Sequence, residues 1–208
     1  IAYLSYTEHT NGIPQNSSMQ ANVIYTSQTD VIEQQVKAAR QLADFVVVGV
    51  HWGVENSHAI ADPQRTLAQN LADWGADLII GTHPHVLQNA QWLTAADGRK
   101  VFTAYSLGNF ISTQEKPDQL VGAILSVQLE KTTELDGTVR CSVLSPRLLP
   151  TVTHYDAGKS NVRTYLFRDY TEALTKAHGV RQAYPDFSLE MIQSIARENI
   201  DPEFLQLT

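Results

Sequence analysis

The sequence predicts an α/β protein that contains a segment of parallel β-sheet. Two helix-like segments alternate with short, continuously apolar strands, and the connections between them are short. A helix–strand repeat of this kind folds through right-handed crossovers, which make successive strands parallel. With 208 residues, of which 43% are hydrophobic, the chain is long enough for one domain or for one domain with a small appendage.

The first unit of the repeat occupies residues 1–51. An opening strand-like run covers residues 1–6. Asp30 is expected to cap the first helix, because Glu33 three residues later completes a capping box, and apolar residues then recur at helical spacing. Residues 45–50 are mainly valine, which is typical of a strand buried on both faces, and this strand ends at His51.

The pattern then repeats. Asp62 is expected to be the N-cap of a second helix with Pro63 at its first position, and Gly75 is expected to end that helix. A second short strand over residues 77–81 follows, and it ends at the tetrapeptide Thr-His-Pro-His of residues 82–85.

The rest of the chain predicts a third strand, a hairpin and a helical end. The predicted elements are a loop over residues 7–18, a strand over 101–105, paired strands over 121–129 and 138–144 with a turn at Asp136-Gly137, and helices over 163–177 and 188–198 with a break at Tyr184-Pro185. We therefore divide the chain into a domain of residues 1–160 and a helical tail of residues 161–208.

Charge and cysteine content exclude several classes of protein. The formal net charge is −7 and no cluster of Lys and Arg is present, which argues against nucleic acid as the main partner. Cys141 is the single cysteine, so no intramolecular disulfide is possible. No apolar run reaches the roughly 18 residues that a membrane span needs. The opening residues do not resemble a signal peptide and begin directly on a strand, so we expect the chain to be part of something longer.

Histidines follow two of the predicted parallel strands. His51 ends the first buried strand, and His83 and His85 flank a proline after the second. Ligands collect outside the carboxyl ends of parallel strands, and imidazole is the commonest neutral metal ligand. The proline restricts the backbone between the two histidines. One ring can then face a metal ion while the other faces a neighbouring ion or a substrate. We therefore expect these three histidines to bind a divalent metal.

Other polar residues stand near these histidines in the sequence. Glu55 lies four residues after His51, and two interpretations are open. It acts near the metal, as a general acid or base or as the hydrogen-bond partner of a ligand, or it is a solvated carboxylate in a loop. Ser106 lacks the strand–nucleophile–helix context of a catalytic serine. It and Asn109 are therefore expected to shape a turn, with contact to the metal loop or to substrate as the alternative. The other histidines are expected to be solvated or structural: His9, His58, His154 and His178.

Three elements occur in a specific order. They are residues 51–55, His-Trp-Gly-Val-Glu; residues 75–86, Gly-Ala-Asp-Leu-Ile-Ile-Gly-Thr-His-Pro-His-Val; and residues 105–110, Tyr-Ser-Leu-Gly-Asn-Phe. Together they resemble the CapA family of poly-γ-glutamate capsule biosynthesis proteins, and the opening residues 5–14 are similar to the same family. The resemblance covers about residues 1 to 150, and the combination of the first two elements is highly specific.

The CapA family is similar to the calcineurin-like metallophosphoesterases, whose fold is a sandwich of two mixed β-sheets flanked by helices. The resemblance implies the C-terminal portion of such a sandwich, with His51, His83 and His85 as metal ligands and with Glu55 and His85 as catalytic residues. The implied cofactor is a divalent metal such as Zn, Mn or Fe. In such sites two ions activate water and hold phosphate oxygens. The family's Gly-Asp and Asn-His elements do not precede Ile1, so we expect an N-terminal half to be missing.

The resemblance also implies a function. It implies a metal-dependent protein of capsule (poly-γ-glutamate) biosynthesis, with hydrolysis of a phosphoester or a related bond as its reaction. The expected location is the bacterial cell surface, with membrane association through an upstream segment. The expected partners are an anionic capsule polymer or its precursor, the missing N-terminal half and further copies of the chain, with no nucleic acid. The alternative is a non-catalytic accessory module that binds the polymer.

Overall fold

The computed structural model describes residues 1–12 and 22–208. Within them, one sheet, here called sheet A, has five strands in the order β1-β2-β3-β5-β4. Their bounds are Ala2–Thr7 for β1, Val46–His51 for β2, Leu78–Thr82 for β3, Leu87–Thr94 for β4 and Lys100–Leu107 for β5. The strands β1, β2, β3 and β5 are parallel, and β4 is antiparallel to β5. The predicted parallel segment is confirmed.

The inner strands β2, β3 and β5 of sheet A are buried on both faces because this part of the sheet lies between two layers. In β2, Val46 and Val48 belong to a hydrophobic cluster that includes the helices of one layer, whereas Val47 belongs to the cluster of the other layer. The neighbouring residues Leu78 and Ile79 of β3 divide in the same way. This arrangement explains the continuous apolar runs, since alternate side chains of a strand point to opposite faces.

Two helices cover one face of sheet A: α1 over Thr29–Leu42 and α2 over Asp62–Trp74. The helices were expected, but both predicted caps are wrong. Gln28 occupies the N-cap of α1 without a side-chain hydrogen bond, and Asp30 lies in the first turn. In α2 the N-cap is Ala61, whose N–H donates to Gln64 Oε1 at 2.9 Å. The side-chain hydrogen bond at the start of α2 thus comes from Gln64, which accepts from the N-cap residue, and not from Asp62.

A second sheet, sheet B, is antiparallel with the order β6-β7-β8. Its strands are β6 over Val121–Thr133, β7 over Val139–Asp156 and β8 over Ser160–Leu166. The predicted hairpin is confirmed, and both of its strands are longer than expected. Gly137, with φ +86°, lies in the turn, where a left-handed backbone favours glycine.

The helical prediction for residues 163–177 is wrong in its first part. Residues 163–166 belong to β8, whose partner is β7, and helix α4 covers only Glu172–Ala177. These residues form a strand because the long strand β7 has an open edge with which they pair. The helical spacing of their side chains gives no sign of this distant partner. The second predicted helix is confirmed as α5 over Leu189–Asn199, and Ser188 Oγ accepts from Met191 N–H at 3.2 Å.

Sequence analysis did not predict β4, nor the short helix α3 over Pro117–Leu120. Short 3₁₀ turns complete the elements, at Ala157–Lys159, Phe167–Asp169 and Gly179–Gln182. The predicted loop over residues 7–18 begins after β1, and its residues 13–18 lie outside the described part of the chain. Among the described residues, no helix has both the length and the apolar character to cross a membrane.

The second layer against sheet A consists of sheet B and the C-terminal segments. Tyr170, Phe187 and Ile192 share one buried cluster with Leu78 and Phe102 of sheet A. The division at residue 160 stays a prediction, and residues beyond it contribute to this shared core. The chain is a mixed α/β sandwich of two sheets flanked by helices, in agreement with the predicted fold class.

Candidate functional site

The register of three parallel strands brings their carboxyl ends to one edge of sheet A. Thr7 of β1 pairs with His51 of β2, and His51 pairs with Thr82 of β3. His83 follows directly after Thr82, and His9 follows two residues after Thr7. Three histidines from strand ends far apart in the sequence therefore lie side by side, as expected for ligand sites in parallel sheets.

The rings of these histidines are in contact. Ring centroids lie 4.5 Å apart between His51 and His83, 4.4 Å between His9 and His83, and 5.8 Å between His9 and His51. One nitrogen from each ring lies within 4.8 Å of the others. His83 is 7% exposed. The structure thus brings together two predicted residues and adds His9, for which the sequence predicts a solvated or structural role.

A second group shares His83. One ligand atom each of Glu55, His83 and His85 lies within 4.8 Å of the others, and Glu55 Oε1 is 4.0 Å from His85 Nε2. The side chain of Glu55 is 57% exposed. The structure therefore places all four residues that we had predicted as metal-binding or catalytic at one edge of the sheet, together with His9.

The backbone of the Thr-His-Pro-His segment is strained. His83 has φ +103° and His85 has φ +62°, a region that non-glycine residues rarely adopt. Such conformations cost free energy and are concentrated at functional sites. The carbonyl oxygen of Pro84 accepts from Asn56 N–H at 2.8 Å, which ties this segment to the loop that carries Glu55.

Gly81 of β3 permits the close packing beneath the histidines. A Cβ atom at this position would lie 1.9 Å from the carbonyl oxygen of Tyr105 and 2.5 Å from Trp52 Nε1. Trp52 Nε1 donates to that same carbonyl at 3.0 Å. Only glycine therefore lets β3 and the indole approach each other at this point. This contact explains both the glycine before Thr-His-Pro-His and the tryptophan after His51.

Asn109 determines the orientation of His85. The Nδ2 amide of Asn109, which carries two hydrogens, lies within hydrogen-bond distance of three acceptors: His85 O at 3.1 Å, Gln114 Oε1 at 2.8 Å and Gln119 O at 3.0 Å. Because acceptors surround Nδ2, Asn109 Oδ1 is the atom that faces His85 Nδ1, at 2.9 Å. His85 Nδ1 must then carry a proton, and Nε2 is the nitrogen that faces Glu55.

Ser106 is a structural residue of the turn after β5. It is 2% exposed, its hydroxyl donates to Val86 O at 2.8 Å, and its oxygen accepts from Gly108 N–H at 3.2 Å. These bonds connect the turn that carries Asn109 to the residue after His85. The arrangement supports the loop-shaping role for Ser106 rather than contact with a substrate.

Burial and neighbouring charges favour the neutral forms of His51 and His83. Desolvation lowers the pKa of His51, and the nearby His83 lowers it further. Desolvation likewise lowers the pKa of His83, with His9 as the next cause. A neutral imidazole has a free lone pair, which is the form that binds metal. Imidazole nitrogens beside a carboxylate form a donor set that suits Zn, Mn or Fe.

The remaining histidines are hydrogen-bonded within the protein, and none belongs to a metal-holding group among the described residues. His58 Nδ1 lies 2.7 Å from Leu87 O, and His154 Nδ1 lies 2.7 Å from Tyr170 Oη. His178 Nε2 lies 3.0 Å from the carbonyl oxygen of Thr153. Their predicted structural role agrees with these contacts.

Comparisons with known proteins identify the family of the chain. The family model of the bacterial capsule synthesis protein PGA_cap matches residues 1–114. The PGA biosynthesis protein CapA of Bacillus subtilis (strain 168) is 39% identical over 108 residues, which are 52% of this chain and 26% of that protein. The capsule biosynthesis protein CapA of Bacillus anthracis is 39% identical over 89 residues, which are 41% of this chain and 20% of that protein.

The aligned segment thus spans about a quarter of the length of the first relative. The family match begins at β1 and extends past Asn109, so it contains every strand end that carries a histidine of the site. It also covers more than half of the 208 residues. The chain therefore belongs to the bacterial capsule synthesis protein family, as its resemblance to CapA had indicated.

Proposed function

We propose that the chain belongs to a metal-dependent capsule biosynthesis protein that hydrolyses a phosphoester or a related bond. The observation that supports this proposal is the convergence of His51, His83 and His85 with Glu55 at the carboxyl edge of sheet A. Neutral imidazoles and one carboxylate, held on strained loops of a rigid sheet, are typical of metal sites.

The metal in this proposal is a divalent ion, for which Zn, Mn and Fe all suit the donor set. Bound at such a site, it would supply an activated water and polarise the bond to be cleaved. His51 and His83 would hold it, and His85 would either complete the ligand set or take part in proton transfer beside the ion. Asn109 keeps the proton of His85 on Nδ1, so that Nε2 presents its lone pair to the site.

Proton transfer is the role that we propose for Glu55 and His85. Their facing atoms lie 4.0 Å apart, and both side chains are open enough to meet a substrate, at 57% and 30% exposure. A carboxylate and an imidazole at this separation can exchange a proton through a small side-chain movement or one water molecule.

The proposed substrate is an anionic capsule polymer or its precursor. One relative is named for PGA biosynthesis and the other for capsule biosynthesis, which supports poly-γ-glutamate as the first polymer to test. A chain with net charge −7 repels a polyanion at long range, so a bound cation would be the point where the two meet. We also propose a bacterial cell-surface, membrane-associated location, with the rest of a longer protein and further copies of the chain as partners.

The test compares the wild-type protein with the double variant His83→Ala/His85→Ala. Metal content is measured together with hydrolysis of bis(p-nitrophenyl) phosphate. We expect stoichiometric metal in the wild type, and we expect the double variant to lose metal and about 100-fold or more of its activity. His58→Ala is the matched control, because this half-exposed histidine bonds Leu87 O and belongs to neither group.

Two results would contradict the proposal. A folded wild type that takes up no supplied Zn, Mn or Fe would contradict the metal centre. A wild type that binds metal and poly-γ-glutamate but hydrolyses neither the phosphodiester nor the polymer would instead support the non-catalytic accessory function.

A further inference from the structure

His9 lies at a strand end whose position relative to His51 and His83 is set by the backbone. The N–H of Glu8 donates to His51 O at 2.7 Å, and Thr7 Oγ1 donates to His9 O at 2.8 Å. In addition, Glu8 Oε2 accepts from Gly53 N–H at 2.8 Å. The segment that carries His9 is therefore bonded both to the last residue of β2 and to the loop that follows it.

The spacing of the three rings suits a single small ion. Their ligand nitrogens lie within 4.8 Å of one another. Zn–N bonds of about 2.0–2.1 Å in tetrahedral geometry place the nitrogens about 3.4 Å apart. Side-chain shifts of roughly an ångström would therefore bring the three nitrogens to the spacing of a zinc site. The ring of His9 is partly exposed, which leaves it room for such a shift.

The three-histidine group is separable from the Glu55–His85 pair. His85 faces Asn109 with one nitrogen and Glu55 with the other, and its ring centroid is 5.8 Å from that of His83. Three protein ligands with an open fourth position are the usual composition of a catalytic zinc site. In that arrangement Glu55 and His85 stay beside the ion, where they can act on a substrate.

We propose that His9, His51 and His83 form a three-histidine site for a divalent transition-metal ion, and that His9 is a direct ligand. This inference deepens the proposed function and rests on its metal centre. It adds a ligand from the segment after β1 and divides the cluster into an ion-holding group and a proton-transfer pair.

The test is Co²⁺ binding by the full chain, followed through the visible absorption of tetrahedral Co²⁺. We expect His9→Ala to weaken binding by at least about 10-fold, whereas His58→Ala leaves it unchanged. His9→Cys is expected to restore binding and to add a thiolate-to-Co²⁺ charge-transfer band. The wild type, whose single thiol is Cys141, provides the baseline for that band. Circular dichroism of each variant verifies the fold.

His85→Ala distinguishes failure of this inference from failure of the proposed function. If His85→Ala abolishes Co²⁺ binding while His9→Ala binds like the wild type, the ion lies with Glu55 and His85. The inference is then wrong and the proposed function stands. If His9→Ala loses Co²⁺ but the loaded wild type hydrolyses no phosphodiester, the inference stands and the proposed hydrolysis is wrong. Binding of Co²⁺ by His9→Cys without the charge-transfer band would also overturn the inference.

Discussion

Asn109 holds the His85 ring through the hydrogen bond from Nδ1 to Oδ1, 2.9 Å long. Asn109 was expected to shape a turn or to contact the segment that carries His83 and His85, and in the structure one amide does both. Its Nδ2 bonds Gln114 and Gln119 in its own loop and the carbonyl of His85 across the site. The identity of the residue was visible in the sequence, but which histidine nitrogen it faces depends on the fold.

We predict that Asn109→Ala releases His85 from its Nδ1–H tautomer. Imidazole ¹⁵N chemical shifts of the metal-free protein measure the tautomer directly. The wild type should show an unprotonated Nε2, and the variant should show the mixture of an unrestrained histidine. Losing such an outer hydrogen bond typically lowers metal affinity or activity by about 10- to 100-fold. Asn199→Ala, which removes an asparagine amide that donates to Ile195 O on α5 away from the site, is the control. An unchanged tautomer in Asn109→Ala would contradict the assignment.

At the scale of elements, the amino ends of the strands in sheet A are joined through Asp77. Its carboxylate accepts from Arg40 Nη1 of α1 at 2.6 Å and from Val46 N–H of β2 at 2.7 Å. Arg99, which precedes β5, reaches the other oxygen at 3.3 Å. Asp77 is 6% exposed. One side chain thus connects a helix and the starts of three strands, at the opposite end of the sheet from the histidines.

We predict that Asp77→Ala destabilises the fold by about 2–3 kcal/mol, because it leaves the partly buried Arg40 and Arg99 and the buried N–H of Val46 without this carboxylate. Urea unfolding measures the change in the free energy of unfolding. Lys37→Ala is the control: it removes an exposed pair with Glu33 on α1, and we expect less than about 0.5 kcal/mol. Equal effects of the two variants would show that the Asp77 cluster contributes no more than a surface ion pair.

At the scale of the whole molecule, the C-terminal segments are joined to sheet B by a buried histidine. His178 is 2% exposed. Its Nδ1 accepts from Val180 N–H at 3.0 Å, so Nε2 carries the proton and donates to Thr153 O of β7 at 3.0 Å. Burial lowers the pKa of His178 to about 4, and the nearby His154 acts in the same direction.

This depressed pKa predicts a loss of stability in mild acid. Above about pH 6.5 His178 is neutral in both states and contributes no pH dependence. Between pH 6.5 and about 4 the unfolded state takes up a proton that the folded state does not bind. The free energy of unfolding therefore decreases as the pH is lowered through this range. At about 1.4 kcal/mol per pKa unit, the expected loss by pH 5 is roughly 2 kcal/mol.

Urea unfolding at pH 7.5 and pH 5 measures this change. His178→Asn is the comparison, because its Oδ1 can still accept from Val180 N–H and it has no ionisable group. The variant should be less stable at pH 7.5, with a pH dependence smaller by about 2 kcal/mol than that of the wild type. If the two proteins lose the same stability between these pH values, His178 is not the group responsible.

Local patterns in the sequence were sufficient for the elements whose own residues dictate them. The valine run of β2, the helix ended by Gly75 and the hairpin turn at Gly137 are all as predicted. The histidines after β2 and β3 were recognisable for the same reason, since each directly follows a buried run. In these segments, burial and backbone preference act over a few neighbouring residues.

The tertiary structure decided what depends on pairing between distant segments. The strands β4 and β8 are stable because β5 and β7 offer them partners, and neither has a local pattern that requires a strand. His9 looked like a loop histidine until the register of β1 on β2 placed it beside His51 and His83. Strand register is a long-range property, because its free energy comes from hydrogen bonds and packing between segments that the sequence separates.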